Sequence, residues 1–373
     1  MKVRLGDYIK EYSVRNKKNE DIPVYSVTNT QGFCQDYFGK EVASKDKTTY
    51  KIVPRGCFAY NPSRINVGSV DWQRAEERVI VSPLYNVFSV SPELDQQYLY
   101  YYLKSDVALQ RIRNVATGSV RDNLKLDMLY EFPLNLRPKD EQLAVVDNLD
   151  KIKAVIRLRQ QELQKLDELV KARFVEMFGD MLLNTMDLPE IKLESVADIV
   201  SGITKGRKVK ENELFEVPYM AVSNVKDGYI DWTTVKTIAA TKAEIDQYKL
   251  LPHDVLMTEG GDPDKLGRGA IIHEPPENCI HQNHIFRVRL DQKKVLPEYM
   301  AHYLQHQRAK RYFLGCAKQT TGIASINMTQ LKALPLLVPP MDIQEQYSAF
   351  LKQIDKSKFI GTIGKHTTRY RGG

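Results

Sequence analysis

His281 and His284 flank Gln282-Asn283, an HxxH spacing that could place two imidazoles on one metal ion. Zinc sites use three or four ligands, and no HExxH carboxylate accompanies this pair. The spacing therefore predicts core or surface histidines. Glu259-Gly260-Gly261-Asp262 offers two close acids for magnesium, but no PD-(D/E)xK nuclease pattern follows. Asn61-Pro62-Ser63 begins like the Asn/Asp-Pro-Pro-aromatic loop of amino-methyltransferases, yet the second proline and the aromatic are missing. No Walker loop is available for a nucleotide. Cys34, Cys57, Cys279 and Cys316 stand apart, with no CxxC pair, so neither zinc nor a disulfide framework is expected. We expect no catalytic residue, no metal and no cofactor. The sequence reads as a binding protein without catalysis of its own.

The remaining chemistry lies in basic and polar loops. Lys and Arg suit phosphates, and polar side chains suit base edges. The first half of the chain offers Asn29, Asn61, Arg64, Ser119 and Arg121. The second half offers Lys205, Arg207, Asn224, Arg268, Gln319 and Thr320. Glycine beside arginine, as at Gly267-Arg268, lets a backbone approach closely while the guanidinium reaches out. Each loop taken alone reads equally well as an ordinary solvated turn. Tyr98, Tyr101, Tyr102 and Leu103 could form a stacking platform for bases. Aromatics at helical spacing more often pack into a core, and that is the expectation here.

These loops recur in order. Ile22–Asn29 resembles Val217–Asn224 at an offset of 218 − 23 = 195. Tyr50–Pro54 resembles Tyr248–Pro252 at 198, and Pro92-Glu93-Leu94 resembles Pro297-Glu298-Tyr299 at about 205. Thr117-Gly118 with Asn123 resembles Thr321-Gly322 with Asn327, and Glu141-Gln142 resembles Glu345-Gln346, both at 204. Five ordered matches with a slowly drifting offset signal a duplicated domain. Within each copy, short β-rich runs bounded by Pro, Gly and Asp precede one helix, which predicts an α+β texture.

A different segment joins the copies. Asp140–Phe178 contains no Gly and no Pro. Leu149, Ile152, Ile156, Leu163, Leu166, Val170 and Phe174 recur at heptad-like spacing, with Arg159 at a seam position. This predicts one long amphipathic helix with a partner-docking seam, stopped by Gly179. About 40 residues at 1.5 Å rise give a rod of roughly 60 Å. The expected segments are a first recognition domain at 1–138, the long spacer helix at 139–180, a second domain at 181–340, a shorter second helix at 341–358 and an irregular tail at 359–373.

Composition agrees with a folded, membrane-free chain of two or three domains. Of 373 residues, 42% are hydrophobic and 27% charged, with 54 Lys and Arg against 47 Asp and Glu. The resulting +7 permits a nucleic-acid partner without requiring one. No run of about 18 apolar residues is present, and MKVRLGDYIKEYS has no apolar signal region. The cytoplasm is the expected compartment.

The doubled order resembles the specificity subunit of type I restriction–modification systems over about residues 1–358. The domain-closing stretches carry the resemblance. One is Thr117-Gly118-Ser119 … Asn123-Leu124 … Phe132-Pro133-Leu134 … Arg137-Pro138 … Glu141-Gln142; the other is Thr321-Gly322 … Asn327-Met328 … Leu334-Pro335-Leu336 … Pro339-Pro340 … Glu345-Gln346. The resemblance implies an α+β fold of two similar target recognition domains separated by long helices that form an antiparallel coiled coil. Each domain would read half of a split sequence in double-stranded DNA. Two adenine-N6 methyltransferase subunits would dock on the helices, and a restriction and translocase subunit would join them. The competing readings are a stand-alone DNA-binding regulator, for which no convincing helix-turn-helix is visible, and a coiled-coil adaptor.

The sequence departs from that pattern after Lys358, where Phe359–Gly373 holds four glycines and no heptads. A shortened second helix would leave the distal half of the first (Leu163, Leu166, Val170, Phe174) without an intrachain partner. A methyltransferase subunit, or a second copy of this chain through self-association, is the expected partner of that distal half.

Overall fold

The computed structural model describes residues 1–35, 46–116, 123–208, 213–320 and 322–360. The chain divides into two compact units, Met1–Leu158 and Arg159–Gly373. The boundary falls inside the long helix rather than at either of its ends.

The first unit is built on β1 (Lys2–Arg4), β2 (Ile9–Glu11), β3 (Phe58–Tyr60), β4 (Val70–Trp72) and β5 (Asn86–Val90). The helices α1 (Gln96–Lys104) and α2 (Asp106–Val115) and the strand β6 (Pro133–Asn135) follow. A four-stranded antiparallel sheet runs β2-β5-β3-β4, and β1 pairs with β6. Phe58 faces both Phe88 and Trp72 across this sheet. Phe58 and Phe88 stack with ring centroids 5.1 Å apart. Asp95 caps α1 by accepting from the Gln97 and Tyr98 N–H groups at 2.9 and 3.0 Å, which satisfies two donors that the helix itself cannot.

The chain then enters α3 (Lys139–Phe178), a single helix of 40 residues. Gly179 ends it at φ +71°, the left-handed cap that its position in the sequence predicts.

The second unit repeats the plan. It has β7 (Glu190–Lys192), β8 (Ala197–Ser201), β9 (Val255–Thr258), β10 (Gly269–Ile271) and β11 (Ile285–Leu290). These are followed by α4 (Pro297–Gln305), α5 (Gln307–Cys316), β12 (Pro335–Leu337) and α6 (Met341–Ile360). Its sheet runs β8-β11-β9-β10, antiparallel throughout, and β7 pairs with β12. Val255 faces Val288 and Ile271, as Phe58 faces its two neighbours. The fold is α+β, with one sheet order used twice.

The register of the duplication differs in places from the sequence matches. The parallel bridge Val24–Ile80 and the parallel pair Tyr219–Ile280 keep the offset of 219 − 24 = 195. Further on, Pro92 precedes its helix whereas Pro297 opens one, so the offset of 205 is wrong there. Tyrosine hydroxyls show the true pairing. Tyr98 and Tyr102 donate to the carbonyls of Asn135 and Pro133; Tyr299 and Tyr303 donate to those of Leu337 and Pro335. The offset is 299 − 98 = 201. These rings pin a helix to a strand and take part in the core, with Leu103 fully buried. A phenol bonded to a backbone carbonyl in the core is not a platform for bases.

The second unit corrects the expectation of an unpaired distal helix. Here α6 runs antiparallel to the last half of α3. Tyr347, near the start of α6, packs edge-on against Phe174 and Phe178, with centroids 5.6 and 5.2 Å apart. At the other end, Arg159 donates to the carbonyls of Ser357 and Lys358 at 2.9 and 3.2 Å. Lys358 pairs with Asp167 at 2.6 Å. Val170 and Phe174 are only 6% and 4% exposed, and Leu166 packs on the same core. Those three residues face their own chain, not a docked subunit. The open face lies in the first half of α3, where Ile152, Val155 and Leu158 are 55%, 65% and 60% exposed. Within the second unit, the 20 residues of α6 start beside the end of α3 and reach Arg159. Among the described residues, no helix is long and apolar enough to cross a membrane.

Candidate nucleic-acid interface

In each unit the connection between the third and fourth strands of the sheet is a tight basic turn. In the first unit it runs from Asn61 to Ser69. The Asn61 carboxamide oxygen accepts from the Ser63 N–H and hydroxyl at 3.1 and 2.9 Å, which shapes the turn. Ile65–Val67 make one 3-10 turn, and Gly68 closes it at φ +90°. Arg64 stands exposed at its head and forms no ion pair among the described residues. Two further cations nearby are tied to backbone. Lys104 donates to the carbonyls of Asn29 and Gly68 at 2.9 and 2.5 Å, and burial lowers its pKa. Arg113 donates to the Asn66 carbonyl at 3.3 Å. Asn29 itself is exposed beside this turn.

In the second unit the same connection passes through the short strand Gly260-Gly261 and then turns from Asp262 to Arg268. Pro263–Lys265 make the 3-10 turn, and Gly267 closes it at φ +74°. A Cβ at Gly267 would lie 2.5 Å from the Phe313 ring, so only glycine lets α5 pack this close. The close approach leaves a hollow of about 260 Å³ lined by Lys226, Asp227, Lys265, Leu266, Arg268 and Lys310. Lys265 pairs with Asp262. Neither Lys226, Arg268 nor Lys310 forms an ion pair among the described residues, and the Arg268 Nε is buried without a hydrogen-bond partner.

The other sequence candidates scatter. Lys205 is exposed in its loop. Arg207 is held by a bidentate ion pair with Glu244 and by the Ala239 carbonyl, so its charge is neutralised within the unit. Asn224 is fully buried; its side chain accepts from the Ala221 N–H at 3.0 Å and donates to the Asp231 carbonyl at 2.9 Å. Both residues were expected to reach DNA, and both instead stabilise local structure, because the protein already satisfies their polar atoms. Gln319 and Thr320 lie in the strand Lys318–Thr320, which belongs to a small antiparallel sheet with Ile323–Ser325 and Gly260-Gly261. Ser119 and Arg121 lie outside the described residues.

The HxxH pair is divided by its strand. His281 is fully buried between the carbonyls of Tyr248 and Val200, at 3.1 and 3.3 Å, and burial pushes its pKa down to about 4. His284 points instead to Glu259. Among the described residues, no group of three or more His, Cys, Asp or Glu is placed to hold a metal.

Arg64 and Arg268, chosen from sequence, thus fall on the equivalent turn of each unit. Lys226 and Lys310 escaped notice. One sits in a loop and the other on a helix, 310 − 226 = 84 positions apart, and no spacing rule joins them.

The profile of the type I restriction modification DNA specificity domain matches twice, at residues 2–168 and 187–365. The chain belongs to that family. As a type I specificity subunit it is a DNA-binding protein, and its family is non-catalytic. It is 20% identical over 380 aligned positions to the EcoKI specificity subunit of Escherichia coli K12, covering 95% of this chain and 81% of that protein. The same figures hold for the StySPI specificity subunit of Salmonella potsdam. The MjaX specificity subunit of Methanocaldococcus jannaschii is 30% identical over 182 residues, which span 48% of this chain and only 42% of the archaeal protein. Two solved structures share the fold. One, from a study of type I R-M complex assembly and conformational transition, is 17% identical with a TM-score of 0.58, covering 99% of this chain and 93% of the other. The other, the S subunit from M. genitalium, is 15% identical with a TM-score of 0.51, covering 98% and 91%. The specificity subunit therefore carries one domain plan twice in a single chain.

Proposed function

We propose that this specificity subunit reads a bipartite DNA target, one half-site per unit, through the turns bearing Arg64 and Arg268. The observation that carries the reading is the repeated sheet order, with a basic turn at the same β-β connection in each copy. Two different turns on one scaffold would read two different sequences, because base contacts belong to side chains and not to the fold. The long helix sets the spacing of the half-sites.

Two adenine-N6 methyltransferase subunits dock on the helical segment, and the restriction and translocase subunit joins through them. The exposed apolar face of α3 at Ile152, Val155, Ile156 and Leu158 supports a docking role. Catalysis, S-adenosylmethionine and ATP belong to those partners, and the complex acts on DNA in the cytoplasm.

A map of modified bases in the native host, with and without the gene, tests this reading. A methyladenine motif split by a nonspecific spacer should vanish on deletion. If no modified motif depends on the gene, the reading fails.

A further inference from the structure

The two basic turns differ in what surrounds them. Strand register aligns Gly68 with Gly267, both left-handed and each two residues before the first residue of β4 or β10. Arg268 then corresponds to Ser69, Lys265 to Asn66, and Lys310 to Leu109 at the same place in two helices of 10 residues. In the first unit Ser69 is buried and Leu109 packs on the core. Its nearby cations, Lys104 and Arg113, are bonded to backbone carbonyls. In the second unit four cations and one carboxylate among the described residues line an open hollow. A buried guanidinium N–H without a partner is costly and uncommon in folded proteins. Among the described residues Arg159, Arg268, Arg287 and Arg308 each carry one, and that of Arg268 is the one on the wall of the hollow.

We propose that the hollow between the Asp262–Arg268 turn and α5 is a phosphate-binding site, found in the second unit and lacking in the first. The Arg268 guanidinium and the Lys226 and Lys310 amines supply donors and positive charge. A tetrahedral dianion or phosphodiester would accept from all three while neutralising their mutual repulsion. The phosphate is one of the DNA backbone beside the second half-site, which rests on the DNA reading above. Free inorganic phosphate offers the same chemistry. The consequence is an unequal grip: the second unit adds a sequence-independent contact that the first does not make.

The test uses the full chain, its Arg268→Gln/Lys310→Gln double variant and the single Lys310→Gln variant, whose site lies on a helix surface and leaves the turn intact. Fluorescence anisotropy with a random-sequence duplex over a salt series gives affinity and salt slope. Thermal shift with inorganic phosphate at matched ionic strength gives anion binding. The double variant should bind DNA about tenfold more weakly, with a salt slope shallower by about one or more, and Lys310→Gln should move the same way. If the wild type binds duplex and the variants match it in slope, affinity and phosphate response, the hollow is no phosphate site and the DNA reading survives. If the wild type binds no duplex, the DNA reading fails. The hollow is then upheld as a free-anion site by a phosphate shift that the variants lose, and overturned without one.

Discussion

Gln142 and Gln344 make the same three hydrogen bonds, one in each unit. Gln142 is fully buried at the start of α3, where its carboxamide oxygen accepts the Asp95 N–H at 2.8 Å. Its Nε2 donates to the carbonyls of Glu93 and Arg137, both at 2.8 Å. Gln344, at the start of α6, accepts the Leu296 N–H at 2.8 Å and donates to the carbonyls of Lys294 and Pro339 at 3.1 and 2.8 Å. Each glutamine ties the loop before α1 or α4 to the helix that leaves its unit's sheet. The sequence match of Glu141-Gln142 with Glu345-Gln346 was therefore two residues out of register.

Replacing either glutamine with alanine takes the partner from one N–H and two carbonyls at the half-buried joint between loop and helix. Each unsatisfied group costs about 1–3 kcal/mol, so Gln142→Ala and Gln344→Ala should each lower stability by at least that amount. Urea unfolding measures it. A loss below ~0.5 kcal/mol for both would show that water or relaxation replaces the network.

The two halves of α3 should respond oppositely to truncation. Phe174→Ala removes a ring packed among Phe178, Tyr299 and Tyr347 and should cost about 3–5 kcal/mol. Ile152→Ala, on the open face, should change the stability of the isolated chain by less than ~0.5 kcal/mol. It should nevertheless weaken capture of a methyltransferase subunit in a pull-down. Equal destabilisation by both substitutions would contradict the pairing of α6 with the distal half.

Buried histidines predict an acid-sensitive fold. Burial pushes both His281 and His302 down to about 4, with Arg287 adding to the effect on the first and Lys358 on the second. Both folded values lie below the ordinary 6.5, so the unfolded chain binds more protons in between. Their contribution to stability is complete above about pH 6.5 and declines as pH falls toward 4. His302 stacks on Phe174 and meets Tyr347 edge-on, so His302→Phe keeps an aromatic ring there while removing the titration. Thermal melts between pH 7 and 5 should show a shallower pH dependence in that variant. An unchanged slope would remove His302 from the account.

Arg64 tests the first unit's turn. Arg64→Ala should weaken DNA binding, by about 1–3 kcal/mol with relaxed preference at one position if the guanidinium reads a base. A uniform loss across sequences, with a shallower salt dependence, would assign it to phosphate instead. Competition binding against single-base variants of the mapped motif separates these outcomes, and no change in any of them would exclude Arg64 from the interface.

Much of this architecture was legible in sequence because it is local or repeated. Heptad spacing without Gly or Pro specifies a long helix, and Gly179 specifies its end, since both follow from backbone sterics. The duplication is visible because both copies must bury the same pattern. The basic turns were visible because Arg64 and Arg268 sit beside turn-forming residues. What the sequence could not show are contacts between residues distant along the chain. Glu244 claims Arg207, a buried loop claims Asn224, and α5 brings Lys310 to Arg268. The seam of α3 makes the point most plainly. Ile152 and Phe174 share one periodicity, and the sequence alone determined only that both lie on an apolar stripe. Which of them is covered was decided by tertiary structure. The antiparallel direction of α6 places its start beside Phe178 and its last turn beside Arg159, and burial follows that direction, not the pattern.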